Sequence, residues 1–575
     1  MIIYLFLVLF LALPSVYCED KLPPDTKSLL SLPCESSIFA PPVVPGAKIL
    51  SITAEQKHDF TTKFGSPLFP PLGGLNLCSV KVTLTHPGTA DEVLVEVWLP
   101  LTHDDWNGRF QATGGGGWAT GMFEFVLGPA VKDGYATSST DGGHPLDYMH
   151  LDWSLVHHAE QNAYTINWNL LQNFATRSLA DQVYVGKSIT EQYFGEKPHH
   201  SYFNGCSQGG RQGYMMAQKY PGLLDGILAV APAIGLPGIV MGDFWPQLLM
   251  IESGTFMSNC GFNWFGQKVI EKCDMLDGVS DGVITDPEAC QFDPSTLVAQ
   301  KFECDGQEVE VTQTMADIVR KIQEGPKTPF GNLLWPGIPY GTSTQAIANI
   351  KVSPKGLRSP NPLGISSSWI QSILLKDPSF NISTITYETF LALWVQSAVE
   401  WSWLFDTGEP DLTRLRDSGA KMLSWHGIND DVIPYKGTVQ YRERVELEMG
   451  GAKSVDEFYR LFLAPGVAHC GLGAGPVPNR PLDQLVDWVE KGEPPMTLDA
   501  QTSDAEGELV SRDLCRWPRK LKYMGIGDAK RASSWSCEGE EEFDELAGSA
   551  EGSGEFLGGL KARLMGLGLG LKVQG

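Results

Sequence analysis

Residues 199–221 read HHSYFNGCSQGGRQGYMMAQKYP, and the order is that of a strand, a tight turn and a helix. MMAQKYP supplies helix formers and a proline stop, and LLDGILAVAPA (223–233) reads as the next strand. At the turn, Gly205, Ser207 and Gly209 form a G-x-S-x-G, in which small neighbours let a helix crowd the sheet while the serine hydroxyl stays exposed. Alone that pattern is weak, because it recurs by chance. Strands alternating with helices imply a mainly parallel sheet.

Working outward, VKVTLTHPG (80–88) and VLVEVWLP (93–100) read as paired strands joined by a polar turn. WNGRFQATGGGGWATG (106–121) is a strand running into four glycines, Gly114 to Gly117, where a ligand can approach backbone N–H groups closely. From 233 to 405 the rhythm breaks into an aromatic-rich stretch with four cysteines, expected to be an inserted lid domain. Strands resume at GAKMLSWHG (419–427) and YRLFLAPG (459–466), and PLDQLVDWVEKGEPP (481–495) has the pattern of an amphipathic helix. The catalytic core is thus expected over 19–232 and 406–537. Residues 538–575 are first acidic, then Gly/Leu-rich, without a packing pattern, so disorder is expected there. The Leu residues at the end are interrupted by Gly, Lys and Arg, which argues against a lipid-anchor signal.

Composition bounds the function. Lys+Arg number 43 against Asp+Glu 68, a formal charge of −25, which opposes binding to nucleic acid or an anionic membrane. Residues 1–18 carry one short apolar run, Ile2 to Leu13, suited to a cleaved signal peptide and an extracellular destination. Eleven cysteines are present; removing Cys18 with the signal leaves ten, enough for five disulfides in an oxidising compartment. The sequon Asn381-Ile382-Ser383 makes Asn381 a glycosylation candidate.

Two loops raise the elbow above chance. HGINDDVIPY (426–435) follows a buried strand with an acid at its start, and APGVAHCG (464–471) follows the next strand with a histidine. Serine, acid, histidine is the chain order of the α/β-hydrolase core. Ser207 would attack an acyl carbon, His469 would take its proton and return it to the leaving group, and Asp430 would fix the imidazole tautomer. The backbone N–H of Gln208 and one from Gly116 or Gly117 would hold the oxyanion, each donor being worth roughly 3–4 kcal/mol. Cys206 precedes the serine and Cys470 follows the histidine. If Ser207 and His469 touch, their neighbours lie within the roughly 4.4–6.8 Å that a disulfide spans between Cα atoms. A Cys206–Cys470 bond would then staple elbow to histidine loop.

Cys-Ser at the elbow, HGxxDxxIP at the acid and PGxxHC at the base resemble the tannase and feruloyl esterase family of secreted fungal and bacterial enzymes. WNGRF before GGGG, GYATSSTDGGH (134–144), GDFWPQ (242–247), QLVDWVEKGEPP (484–495), LCRWP (514–518) and the final SC (536–537) resemble it too, so the likeness covers about residues 34–537. It implies the triad Ser207, Asp430 and His469, with Asp430 preferred to the adjacent Asp431. It implies hydrolysis of aromatic-acid esters, feruloyl or other hydroxycinnamoyl esters of plant cell-wall polysaccharide, with galloyl esters of tannins as the alternative.

CDMLDGVSDGVITDPEAC (273–290) holds three carboxylates with glycines between them, an oxygen-rich turn suited to Ca²⁺ or simply a solvated acidic turn closed by Cys273–Cys290. The resemblance favours structural calcium, with Asp274, Asp277 and Asp281 side chains and the carbonyls of Val279 and Val283 as ligands. No organic cofactor is expected. The remaining pairings expected are Cys34–Cys78, Cys260–Cys304 and Cys515–Cys537, with nothing in the residues to fix them. His144 is expected to be structural, and the pairs His157-His158 and His199-His200 lack a completing ligand nearby. Lid aromatics such as Trp245, Trp401 and Trp403 are candidates to stack on a phenolic acyl group, though packing is the blander reading. The rivals are a secreted peptidase on the same core and a non-catalytic binding protein; an intact Ser, Asp and His argues against the second.

Overall fold

The computed structural model describes residues 33–63, 71–304 and 306–539, so the expected signal segment and the tail from 540 lie outside the described residues. Its centre is a nine-stranded sheet: β1 (Lys48–Phe60), β2 (Leu75–Thr85), β3 (Val93–Pro100), β4 (Arg109–Thr113), β5 (Ala136–Thr140), β6 (His200–Cys206), β7 (Gly226–Val230), β8 (Lys421–Gly427) and β9 (Tyr459–Ala464). The spatial order is β1-β2-β3-β5-β4-β6-β7-β8-β9. The pairs β1/β2, β2/β3 and β3/β5 are antiparallel, and every pairing from β5 through β4 to β9 is parallel.

Alternation along these strands divides the core between the two faces of the sheet. Phe203, Ile227, Ala229, Met422 and Leu461 pack with the helices Ser178–Phe194, Gln208–Lys219 and Tyr435–Met449. Tyr202, Leu228, Leu423, Trp425 and Phe462 pack on the other face against Leu485, Val486 and Trp488 of the Pro481–Lys491 helix. Burial on both faces is what a parallel sheet requires, and it explains why β7, GILAV, is apolar throughout.

Between β7 and β8 the chain leaves the sheet and builds a separate apolar cluster, with helices at Leu236–Gly242, Trp245–Ser253, Asn259–Cys273, Gln313–Glu324 and Tyr387–Phe405. This cluster is not confined to 233–405. It takes in Trp118, Leu151, Phe174 and Ile433 from the core, so the lid is rooted on both sides of the sheet edge. The first lid helix is glycine-rich for a packing reason: a Cβ on Gly235, Gly238 or Gly242 would sit 2.7, 2.8 or 3.1 Å from the Trp335 ring. Trp245 and Trp401 are buried in this cluster, whereas Trp403 is exposed beside Trp168.

Five disulfides join Cys34–Cys78, Cys206–Cys470, Cys260–Cys304, Cys273–Cys290 and Cys515–Cys537. No helix among the described residues is long and apolar enough to cross a membrane.

Candidate active site

The elbow follows from close packing. Ser207 links β6 to the Gln208–Lys219 helix at φ 64° and ψ −121°, a left-handed conformation that costs a non-glycine residue about 1–3 kcal/mol. Its N–H donates to the Val230 carbonyl, and its carbonyl accepts from Arg211 and Ala233. The flanking glycines are obligatory by contact: a Cβ on Gly205 would lie 2.6 Å from Gly209 backbone, and one on Gly210 would lie 2.4 Å from the Val230 oxygen.

Asp430 and His469 reach the same edge from the loops after β8 and β9. The edge formed by the carboxyl ends of parallel strands is where ligands bind in such sheets. His469 Nδ1 is 2.8 Å from Asp430 Oδ2, and Asp430 Oδ1 accepts from the N–H groups of Val432 (2.9 Å) and Ile433 (2.7 Å). Asp430 is completely buried; burial alone would raise its pKa, but the opposing His469 and His426 hold it well below the usual carboxylate range. For His469, burial lowers the pKa, and the Asp430 carboxylate more than offsets it, leaving the imidazole raised. The Cys206–Cys470 bond, with Cα atoms 5.9 Å apart and 264 positions apart in sequence, brings the elbow and the histidine loop together.

The glycine loop departs from expectation at one residue. Gly116 N–H bonds the Ala119 carbonyl at 3.2 Å in a β-bridge, so it is spent on the loop and is not an oxyanion donor in this structure. Gly117, at φ 54°, lies so close to the Tyr148 carbonyl that a Cβ would approach its oxygen to 2.1 Å. Gly114 and Gly115 press on the nucleophile helix: a Cβ on Gly114 would lie 2.6 Å from Gly209 Cα, and Gly209 N–H donates to the Gly115 carbonyl at 3.1 Å.

Three side chains that sequence reasoning missed hold this arrangement. Gln212 accepts from Gly115 N–H (2.9 Å) and donates to the Thr120 carbonyl (2.9 Å), clamping the glycine loop to the nucleophile helix. His426, fully buried, lies 3.2 Å from Asp430 Oδ2 and 2.9 Å from both Thr438 Oγ1 and the Ile433 carbonyl. Asn429 accepts from Gly466 N–H (2.9 Å) and donates to Thr342 of the lid (3.2 Å), tying acid loop, histidine loop and lid together. His426 and Asn429 lie inside the HGIND stretch, beside the aspartate that the sequence marks.

The acidic turn is a folded loop in its own right. Asp274 accepts from Ser280 Oγ and Gly282 N–H, Asp277 from Val279 N–H, and Asp281 from Val283 N–H while pairing with Arg512 at 3.3 Å. Burial raises the pKa of Asp277 and of Asp281, and the neighbouring carboxylates raise both further. Oxygen donors in a half-buried turn are the chemistry a hard divalent cation takes, but here Asp281 is paired with Arg512 and the three carboxylates do not converge on one point as His199, His200 and Glu490 do.

Elsewhere, His144 is buried between Thr120 Oγ1 (2.7 Å) and the Trp153 ring, and burial lowers its pKa to about 4. Glu490 joins His199 and His200 in a group of metal-ligand type. Its oxygens are already committed, however, to Arg109 at 2.7 Å and to Tyr202 at 2.7 Å, and the group reads as an ion-pair network. Asn381 is exposed and caps the short turn Ile382–Thr384.

A serine on a strained strand-to-helix turn, with an Asp–His pair at the same edge of a mostly parallel sheet, defines an α/β-hydrolase. Residues 78–538 match the family described as tannase and feruloyl esterase. A "Probable feruloyl esterase" of Arthroderma benhamiae is 45% identical over 502 residues, covering 86% of this chain and 92% of its own. "Feruloyl esterase B" of Aspergillus niger is 29% identical over 487 residues, 80% of this chain and 87% of that one. Among solved structures, a tannin acyl hydrolase from Aspergillus niger superposes with a TM-score of 0.79 at 25% identity, covering 88% of this chain and 95% of the other. The chain therefore belongs to the tannase and feruloyl esterase family.

Proposed function

We propose that the protein is a secreted serine esterase that hydrolyses carboxylic esters of phenolic acids, with feruloyl and related hydroxycinnamoyl esters of plant cell-wall polysaccharide as its substrates. The observation that carries this reading is the Asp430–His469 pair stapled through Cys206–Cys470 to the Ser207 elbow, in a chain 45% identical to a probable feruloyl esterase. Ser207 Oγ attacks the ester carbonyl as His469 Nε2 removes its proton. The tetrahedral oxyanion is held by the Gln208 N–H and, of the two glycines expected from the sequence, by Gly117 rather than Gly116, whose N–H bonds the Ala119 carbonyl. His469 then protonates the departing alkoxide, and a water deacylates Ser207 by the same base.

Calcium, held by Asp274, Asp277 and Asp281 with the carbonyls of Val279 and Val283, would be structural, neutralising the crowded turn and stiffening the lid. The five disulfides favour an oxidising, extracellular destination. The galloyl-ester reading has the likeness to a tannin acyl hydrolase in its favour. Hydrolysis of methyl ferulate against methyl gallate, beside Ser207→Ala, decides: ferulate preference abolished by the substitution is expected. Gallate preference would make the protein a tannase, and activity surviving Ser207→Ala would remove the assigned nucleophile.

A further inference from the structure

Asp430 has one partner more than a triad needs. An ionised carboxylate offers about four lone-pair sites, and here each is met by an N–H. Val432 and Ile433 donate to Oδ1, while Oδ2 lies 2.8 Å from His469 Nδ1 and 3.2 Å from His426 Nε2. Two backbone donors on Oδ1 fix the plane of the carboxylate and with it the place of Oδ2. Aiming the aspartate at His469 therefore does not need His426.

What His426 adds follows from the atoms its ring faces. Nε2 meets two acceptors, the Asp430 carboxylate and the Ile433 carbonyl at 2.9 Å, and neither can donate, so Nε2 carries a hydrogen. Nδ1 meets Thr438 Oγ1 at 2.9 Å, and Thr438 belongs to the Tyr435–Met449 helix. The ring is thus held between β8 and that helix, with its N–H turned to the oxygen that His469 uses. Both His426 and Asp430 are completely buried, and a low local dielectric strengthens such a contact.

The shared oxygen is also what makes His469 basic: burial lowers the His469 pKa, and the Asp430 carboxylate more than offsets it. A hydrogen bond to the ionised form of a group weakens that group's hold on a proton. Without the His426 N–H, Oδ2 would turn more of its charge on His469 Nδ1. Two further carboxyls act on this cluster, Asp431 in the same loop, whose charge also raises His469, and Asp243 of the lid, which burial keeps neutral. His426 bonds neither, so both act alike with or without it.

We propose that His426 is a positioning residue that acts on the base through Asp430: by sharing Oδ2 it limits how tightly His469 holds its proton, and so extends hydrolysis to lower pH. This rests on the esterase reading above, in which neutral His469 is the base.

The test is the pH profile of kcat/KM for methyl ferulate or methyl gallate, whichever is cleaved, in the wild type, His426→Phe and His426→Gln. Each profile is normalised to its own plateau, so a smaller folded fraction cancels, and Ser207→Ala is the control for the esterase reading. Phenylalanine fills the ring's place without a donor, whereas glutamine returns an N–H near the Nε2 position. In His426→Phe the acid limb is expected to move up by about half a pH unit, leaving about threefold less relative activity one unit below the wild-type midpoint. His426→Gln is expected to recover most of that loss. An unmoved limb in His426→Phe overturns the proposal. A limb moved to lower pH does so too, because it shows an aspartate that has lost its aim and a histidine that is merely structural. If His426→Phe does not fold, NMR of the ¹⁵N-histidine-labelled wild type decides, with His426→Gln supplying the assignment. The expected spectrum has His426 protonated at Nε2 and that N–H resonance shifting as His469 titrates. A ring protonated at Nδ1 alone, or an Nε2–H blind to the titration, overturns the proposal. If the wild type cleaves neither ester, the esterase reading fails instead, and the same spectrum reads the shared oxygen without turnover.

Discussion

Removing the Cys206–Cys470 bond should damage catalysis far more than stability. The bond closes a loop of 264 residues. Loop-closure entropy for that length is about 5.6 kcal/mol, an upper figure against the roughly 2–4 kcal/mol usually seen. The Cys260–Cys304 bridge inside the loop shortens it only slightly. Unfolding entropy of about 2.1 cal/mol/K per residue gives about 1 kcal/mol/K for a chain of roughly 500 residues, so the melting temperature should fall by about 5 °C at most. Catalysis depends on geometry instead. The bond joins residues directly adjacent to Ser207 and His469, and a shift of about 1 Å between nucleophile and base costs roughly 10²-fold. The experiment is Cys206→Ala/Cys470→Ala, assayed for ester hydrolysis well below its measured melting temperature. Cys515→Ala/Cys537→Ala serves as a control, since it removes a 22-residue closure worth about 3 kcal/mol between two strands outside the central sheet. The expected pattern is a loss of at least about 100-fold in kcat/KM for the first and less than about threefold for the second. A first variant that folds and keeps activity within threefold refutes the stapling argument and leaves the bond a stability device only.

The pH dependence follows from the signs already given. His469 must be neutral to act as base, and its pKa is raised, so kcat/KM should fall as pH drops through a value above 6.5. In Asp430→Asn the main raising partner is gone and burial, which lowers, is opposed only by the Asp431 charge; the acid limb should move to lower pH while kcat falls about 10⁴-fold. The same pair links stability to pH. The depressed Asp430 stabilises above its unfolded value near 4, and that contribution is lost as pH falls through its folded value. The raised His469 stabilises below about 6.5 and ceases to do so as pH rises through its own. Gly115→Ala would drive a Cβ to 2.0 Å from the Ala119 oxygen and should abolish activity, whereas at Gly116 the nearest atom is the Met122 sulfur at 3.3 Å and alanine should be tolerated, as rates and melting curves of the two would show. Chelation with EGTA should lower the melting temperature by about 3 °C at calcium one hundred times its Kd, and Asp277→Asn should remove the response.

The parts of the site that the sequence makes legible are those where a few neighbouring residues decide the structure. β6 with its elbow, β7, β8 and β9 each carry a buried run ending in a loop, and the three residues proposed as the triad sit in the loops after β6, β8 and β9. β5 escapes this reading because ATSST looks like a polar loop, yet all five residues are buried. Three of its hydroxyls are satisfied within the fold, Thr140 Oγ1 on the Leu94 carbonyl, Ser138 Oγ on the Gln182 carbonyl and Ser139 Oγ accepting from Phe123 N–H, while Thr137 Oγ1 is buried without a partner. β1 escapes because it is an edge strand without a fully buried residue, so no alternation marks it. That Gly116 N–H is taken up by the Ala119 carbonyl is illegible too, because four identical glycines give no hint which N–H the loop uses for itself. Glu490 beside His199 and His200, and Trp335 over Gly242, are contacts across hundreds and tens of residues. No local pattern encodes them.

The strained elbow shows how these scales join. Ser207 and Cys470, on opposite sides of the bridge, both hold positive φ, at 64° and 56°. Each costs about 1–3 kcal/mol that local sequence does not return. The return comes from tertiary contacts: the Val230 carbonyl on Ser207 N–H, Gln212 spanning to the glycine loop, and Asn429 holding the histidine loop at Gly466. The active geometry therefore holds local strain that contacts distant in sequence keep in place. That dependence makes the separation of effects testable. Substitutions at Gln212 or Asn429, which touch no reacting atom, should lower kcat before they lower the melting temperature, since strain released at either end moves nucleophile and base apart while the sheet beneath them stays intact.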